Sequence, residues 1–212
     1  MTLIIILIIM IKILVTGSAG QLGSEIWKIS KKNSDFHWLF TDKKSFDLSK
    51  INQIETFLDR LNPSIIINCA AYTNVDKAEV NSELSNLLNY KAVDTISDWS
   101  SSNNRKLIHI STDYVFNSEL PIPLKEDAKT NPINTYGITK LSGENACLNN
   151  DSNSIVIRTS WVYSSYGKNF VKTMCHLMKK NESLKIINDQ IGSPTYANDL
   201  ANVIMKIINH KD

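Results

Sequence analysis

Three glycines, Gly17, Gly20 and Gly23, follow directly on the apolar run at residues 11–16 (IKILVT), and no other feature constrains the chain as much. The run reads as a buried strand, and the apolar positions Ile26 and Ile29 behind the glycines read as one face of a helix. A strand that enters a helix through G-x-x-G-x-x-G has a physical use. One glycine permits the tight turn, one lets backbone approach a pyrophosphate, and one lets the helix pack closely on the strand. The first turn of that helix then presents free N–H groups and a favourable dipole to phosphate. Asp42 ends the second apolar run 19 residues past Gly23, where a carboxylate reaches the hydroxyls of an adenosine ribose. A carboxylate there disfavours a 2′-phosphate, whereas the adjacent Lys43 and Lys44 would neutralise one, so NADH and NADPH both stay open. No G-x-x-x-x-G-K-[ST] sequence is present, which leaves hydrolysis of ATP or GTP without support.

The same pattern recurs along the chain. Strands are expected at 11–16, 37–41, 64–69, 106–111, 154–159 and 184–188, and helices at 21–32, 50–61, 82–102, 136–149, 167–180 and 197–209. Strands alternating with helices imply an α/β chain with a doubly wound parallel sheet. The unbroken Ile and Val of the first and third runs suit strands covered on both faces. The least regular stretch, 112–135, follows the fourth strand and falls at the carboxyl edge of such a sheet, where ligands bind.

Composition narrows the class. The 212 residues carry a net charge of +2, with scattered lysines and no basic run interleaved with aromatics, which gives nucleic-acid binding little support. Three widely spaced cysteines, Cys69, Cys147 and Cys175, suit reduced thiols in the cytoplasm. The four histidines lack metal-ligand spacing, so no metal ligands are assigned. Residues 1–10 form an apolar extension ahead of a domain spanning 11–212. That extension is too short to cross a bilayer comfortably and lacks the marks of a signal peptide, so a membrane anchor is the less favoured reading.

Residues 134–146 read NTYGITKLSGENA and place Tyr136 one helical turn before Lys140. Residues four apart share a helix face. A free phenol has a pKa of about 10, and a nearby ammonium lowers it. The pair is expected to act as a tuned general acid that protonates a carbonyl oxygen while hydride reaches its carbon. The fourth strand ends in HISTDYVF, so Thr112 offers a hydroxyl to the same oxygen and Asp113 a contact to substrate.

The strings VTGSAGQLG, NCAAYTNVDKAE, STDYVF, YGITKLSGE, RTSWVY and NDQIGSPTYANDLA together resemble the dTDP-4-dehydrorhamnose reductase family, extended short-chain dehydrogenase/reductases of nucleotide-sugar biosynthesis. The resemblance runs from about Ile11 to Asn209, and NDQ-x-G-x-PT is its most specific element. It implies a Rossmann fold that reduces the 4-keto group of dTDP-4-dehydro-L-rhamnose with NADPH or NADH. By motif it sets Gly17, Gly20, Gln21, Leu22 and Gly23 along the pyrophosphate, Asp42 at the ribose, and Asp47 and Leu48 beside the adenine. Ala71, Tyr72 and Thr73 lie along the cofactor, as do Tyr136 and Lys140. Tyr136 is then the proton donor, with Lys140 and Thr112 completing the catalytic set, and Thr112, Asp113 and Trp161 meet the sugar nucleotide.

Glu25 matches a position tied to Mg²⁺ at a dimer interface in some members, but a solvated helix carboxylate is the expectation here; Mg²⁺ and a homodimer are left open. Family members continue for several tens of residues past the NDQ-x-G-x-PT helix, and most of that small substrate lobe is missing from this chain. It is therefore expected to bind NAD(P)H and to reduce the sugar poorly. The alternative is a non-catalytic relative, such as a regulatory subunit of methionine adenosyltransferase. A dehydratase is disfavoured, because Tyr114 stands where an acid would follow Asp113.

Overall fold

The computed structural model describes residues 10–117, 122–151, 153–180 and 183–210. The expectation for residues 1–9 lies outside them. Five strands form one sheet: β1 (Ile11–Thr16), β2 (Phe36–Phe40), β3 (Ile65–Asn68), β4 (Lys106–Thr112) and β5 (Ile155–Thr159). Their order is β2-β1-β3-β4-β5, and every pair is parallel. The chain moves outward from β1 in one direction to β2 and in the other to β3, so the winding reverses between β1 and β3. A crevice opens at that reversal, outside the carboxyl ends of the strands. This is the doubly wound Rossmann architecture that the alternation of runs implies.

Alternation along each strand divides the core in two. Ile13, Val15, Ile65, Ile67 and Ile108 face α1 (Gln21–Ser30) and α8 (Ala197–Asn209), where Leu22, Ile26, Leu200 and Ile204 meet them. Leu14, Ile66 and Leu107 point the other way, toward Ile54 and Leu58 of α2 (Ile54–Leu61) and Val93 and Ile96 of the helix ending at Ser102. Two-sided burial explains why strands β1 and β3 carry no polar alternation. The remaining helices are α3 (Val75–Val80), α4 (Ser82–Asn86), α5 (Ala92–Ser102), α6 (Thr135–Asn150) and α7 (Phe170–Met178). Among the described residues no helix is long and apolar enough to cross a membrane.

Two expectations are corrected. Residues 184–188 form no strand: β5 ends the sheet, nothing pairs with this segment, and Ile186 and Ile187 stay exposed. The helix expected at 82–102 is interrupted by one π-helical segment, Leu87–Lys91, which joins α4 to α5. The wider turn carries Asn89 fully into the interior, where its amide accepts from Tyr72 N–H (2.8 Å) and donates to Tyr72 C=O (3.0 Å). Single π turns of this kind often mark functional positions.

Truncating Ile66, which has no exposed surface at the centre of the sheet, is expected to cost about 2–5 kcal/mol. Val80→Ala, at an 86% exposed position, should stay within about 0.5 kcal/mol. Urea denaturation of Ile66→Ala and Val80→Ala measures both.

Candidate active site

The glycine turn is built by close approach. Gly17 adopts φ +64°, and a Cβ on it would lie 2.8 Å from backbone atoms of Ala70, so the turn rests directly on the end of β3. A Cβ on Gly23 would come within 2.6 Å of Gly17 O, which fixes how tightly α1 docks. The helix opens after Gly20 with no side-chain cap, leaving its first N–H groups facing the crevice.

That crevice is a cleft of about 770 Å³. Gly17, Gly20, Gln21 and Leu22 line one end, and Asp42, Asp47 and Leu48 one side. Ala71 and Thr73 line the floor, and Thr112, Asp113, Tyr136, Lys140 and Trp161 the other end. Of the residues that the family resemblance sets along the cofactor, two lie outside the lining. Gly23 is beneath the turn, and the Tyr72 hydroxyl accepts from Asn81 Nδ2 at 3.4 Å.

Asp42 is organised by its own turn. Its Oδ1 accepts from Lys44 N–H, Ser45 N–H and Ser45 Oγ at 2.9–3.0 Å, and these bonds, chiefly that from the Ser45 amide, hold the carboxyl below its ordinary range. Asp47 is held low in the same way by Ser49. Lys43, adjacent to Asp42, also lines the cleft.

Asn134 caps α6 by accepting from Gly137 N–H at 2.7 Å, and this sets Tyr136 in the first turn. Tyr136 is buried, meets the Tyr114 ring edge-on at 5.5 Å, and lines the cleft with Thr112. The expectation that a lysine would ease its proton off is not met. Burial pushes the phenol up, Asp113 and Tyr114 push it further, and only the Thr112 hydroxyl opposes them. Lys140 instead directs Nζ to Ile110 C=O (2.7 Å) and His109 Nε2 (3.2 Å), and its own pKa is pushed down by burial to about 8. The Asp113 carboxylate is shared between Thr112 Oγ (3.2 Å) and Ser160 Oγ (2.6 Å).

Trp161 sits at φ +45°, a conformation that costs a bulky residue free energy and that surrounding structure must impose. The NDQIGSPT segment supplies that structure. Thr195 N–H donates to Ser160 C=O (3.0 Å), Tyr163 N–H to Thr195 C=O (3.0 Å), and Gly192 leaves so little room that a Cβ would stand 2.9 Å from the indole.

Glu25 corrects a further expectation. It is 1% exposed, not solvated: Ser164 Oγ donates to Oε1 at 2.7 Å and Asn198 Nδ2 to Oε2 at 3.1 Å. Together with Gln21, which donates to Val162 C=O and accepts from Asn169, it ties α1 to the loop after β5. That loop brings Lys168 and Asn169 to the cleft, which no spacing in the sequence signals. Among the described residues no three His, Cys, Asp or Glu side chains gather as a metal ion would require.

Comparison with known proteins places these features in a wider group. Residues 11–212 match the family described as the RmlD substrate binding domain. The dTDP-4-dehydrorhamnose reductase of Salmonella typhimurium is 41% identical over 192 residues, covering 90% of this chain and 64% of its own length. A dTDP-4-dehydrorhamnose reductase structure from Clostridium acetobutylicum superposes with a TM-score of 0.90 at 39% identity, over 94% of this chain and 70% of that one. The Bacillus anthracis enzyme of the same name, crystallised with NADP, gives 0.89 at 38% identity, over 94% and 70%. The chain thus spans about two thirds of the length of the relatives it matches.

Removing the buried carboxylate in Glu25→Ala leaves two donors without an acceptor and is expected to cost about 1–3 kcal/mol. Glu25→Gln, which keeps one acceptor, should lose less. Urea midpoints of the two variants check the order.

Proposed function

The chain belongs to the RmlD substrate binding domain family, and from that membership we propose that it reduces the 4-keto group of dTDP-4-dehydro-L-rhamnose to give dTDP-L-rhamnose, using NADPH or NADH. One observation carries the proposal. A single cleft joins a glycine turn at a helix N-terminus to a buried Tyr–Lys–Thr cluster. The relatives' names supply the substrate, and the NADP bound to one of them supplies the cofactor class.

The residues present fit a dinucleotide. The turn is bare of side chains where backbone must approach phosphate, as the close contacts at Gly17 and Gly23 require, and the N–H groups of α1 face the same space. Gly20, Gln21 and Leu22 would hold the pyrophosphate, Asp42 with Lys43 the adenosine ribose, and Asp47 and Leu48 the adenine edge. Ala71 and Thr73 would line the path to the nicotinamide. A reduced nicotinamide bound there supplies a hydride to the ketone carbon. The chain's own task is to place the sugar and deliver the proton.

Tyr136 gives its phenolic proton to the keto oxygen, and the Thr112 hydroxyl bonds the same oxygen. Both residues line the same end of the cleft. Lys140 reaches the cleft beside them and fixes the nicotinamide ribose. Asp113, braced by Ser160, and the strained Trp161 ring border the sugar. In this proposal residues 11–212 form a cofactor-binding domain with part of a substrate lobe, working in the cytoplasm in the supply of activated rhamnose.

Titration of the chain with NADH and NADPH, followed by reduced-nicotinamide fluorescence, is expected to saturate. Oxidation of the cofactor on adding dTDP-4-dehydrorhamnose is expected to fall by about 10²–10⁴ in Tyr136→Phe while cofactor binding persists. Absence of saturable cofactor binding, or full turnover by Tyr136→Phe, would overturn the proposal.

A further inference from the structure

Helices α3 and α6 meet through one exposed side chain. Glu79 stands near the end of α3, and its carboxylate takes both donors of Thr135, the first residue of α6. The Thr135 N–H donates to Oε1 at 2.8 Å and the Thr135 hydroxyl to Oε2 at 2.7 Å. A carboxylate only accepts, so both protons belong to Thr135. The two bonds, that from the hydroxyl first, hold the Glu79 carboxyl below its ordinary range. Its charge also sits at the N-terminus of a 16-residue helix, the end that favours an anion.

The contact falls on the turn that carries Tyr136. The Thr135 N–H is among the first-turn groups that a helix cannot satisfy by itself. Two other features act on the same turn. Asn134 accepts from Gly137 N–H, but that bond is internal to the start of α6 and travels with it. Gly137 lies so close to Tyr114 C=O that no Cβ would fit, which stops the turn from moving inward but does not hold it. The Glu79 bonds join the turn to another element. That element is itself anchored at the cleft: α3 begins at Val75, which lines the cleft with Thr73, and it buries Ala78. Asn74 caps it by accepting from Lys77 N–H at 3.0 Å.

We infer that Glu79 is a positioning residue: by gripping both donors of Thr135 it fixes the first turn of α6, and with it the place of the Tyr136 phenol in the cleft. Neither Glu79 nor Thr135 lines the cleft, so neither is a catalytic residue. The contact is exposed, and the fold as a whole depends on it little. What it holds is local. The consequence for catalysis rests on the proposed function. Proton transfer to a keto oxygen needs the donor within hydrogen-bond reach. A displaced first turn lengthens that reach and leaves the glycine turn and Asp42, on the far side of the cleft, as they were.

Magnetic resonance of the full chain carrying ¹³C-tyrosine reads the place of the ring without substrate or cofactor, so its outcome is independent of the function assigned. The Tyr136 ring signal, identified by its loss in Tyr136→Phe, senses the Tyr114 ring edge-on at 5.5 Å and moves when their separation changes. It is expected to shift and broaden in Glu79→Ala, and to shift less in Thr135→Val, which loses the hydroxyl bond alone. Thr135→Ser should restore the parent signal. Tyr163 and Tyr196, stacked on one another at 5.3 Å after β5 and before α8, should keep theirs throughout. In turnover of dTDP-4-dehydrorhamnose, Glu79→Ala is expected to lower kcat by about 10- to 100-fold and to leave the dissociation constant for NADPH at the parent value. An unmoved Tyr136 signal in Glu79→Ala, or a Thr135→Ser signal displaced as far as that of Thr135→Val, overturns the inference. Movement of Tyr163 and Tyr196 along with Tyr136 does the same, since Glu79 would then support the fold in general, and so does a loss of NADPH affinity in place of kcat. If Glu79→Ala does not fold, the two Thr135 variants decide. A parent chain without turnover counts against the proposed function and leaves the ring signals to decide the inference.

Discussion

Burial of the sheet on both faces governs the rest of the molecule. Ile13, Leu14, Val15, Ile66, Ile67, Leu107 and Ile108 have no exposed surface, so over most of their length the faces of the central strands are apolar and closed to solvent. What remains open is the carboxyl edge, where β1, β3 and β4 run out into loops. The reversal of winding between β1 and β3 parts those loops. The glycine turn, the 70–73 stretch and the Thr112–Asp113 corner are the three loops that this parting exposes, and each contributes to the cleft.

Polar groups inside such a body must be satisfied one by one. The structure does so for several of them with long-range pairs, while Ser111 Oγ and Trp38 Nε1 stay without a partner. Glu25 is met by Ser164 and Asn198, Glu144 by Arg158, and the Tyr72 backbone by Asn89. Arg158 also donates to Glu126 C=O (2.7 Å) and lies over the Phe116 ring, which ties the irregular stretch after β4 back to β5. None of these side chains lines the cleft itself; they fix elements such as α1 and α6, which carry the lining residues Gln21, Leu22, Tyr136 and Lys140.

Much of this was legible in the sequence, and for identifiable reasons. The strands β1 and β3 announced themselves because two-sided burial favours near-continuous apolar runs, and the glycine turn because close backbone approach excludes side chains. Tyr136 and Lys140 could be assigned to one face because four residues make a helical turn. Residues 184–188 misled because apolar side chains without a neighbouring strand have the same letters as those with one. The environment of Glu25 was hidden because its partners lie 139 and 173 residues further on. His109 left a trace, a polar residue within an apolar strand, but nothing in the sequence placed Lys140 against it. Burial of Lys140 was hidden in the same way: spacing puts it one turn from a phenol, while the fold decides how far it is taken from water.

The bonds of Glu25 also bear on how the molecule comes into being. A nascent chain emerges amino end first, so β1 and its glycine turn come out well ahead of α8. Its helix nonetheless finishes packing only against α8, and the carboxylate of Glu25 finds its second donor at Asn198. Until the ribosome has released that stretch, an apolar helix face and an unmatched acid stay uncovered. The glycine turn is thus made before the helix that locks α1 in place.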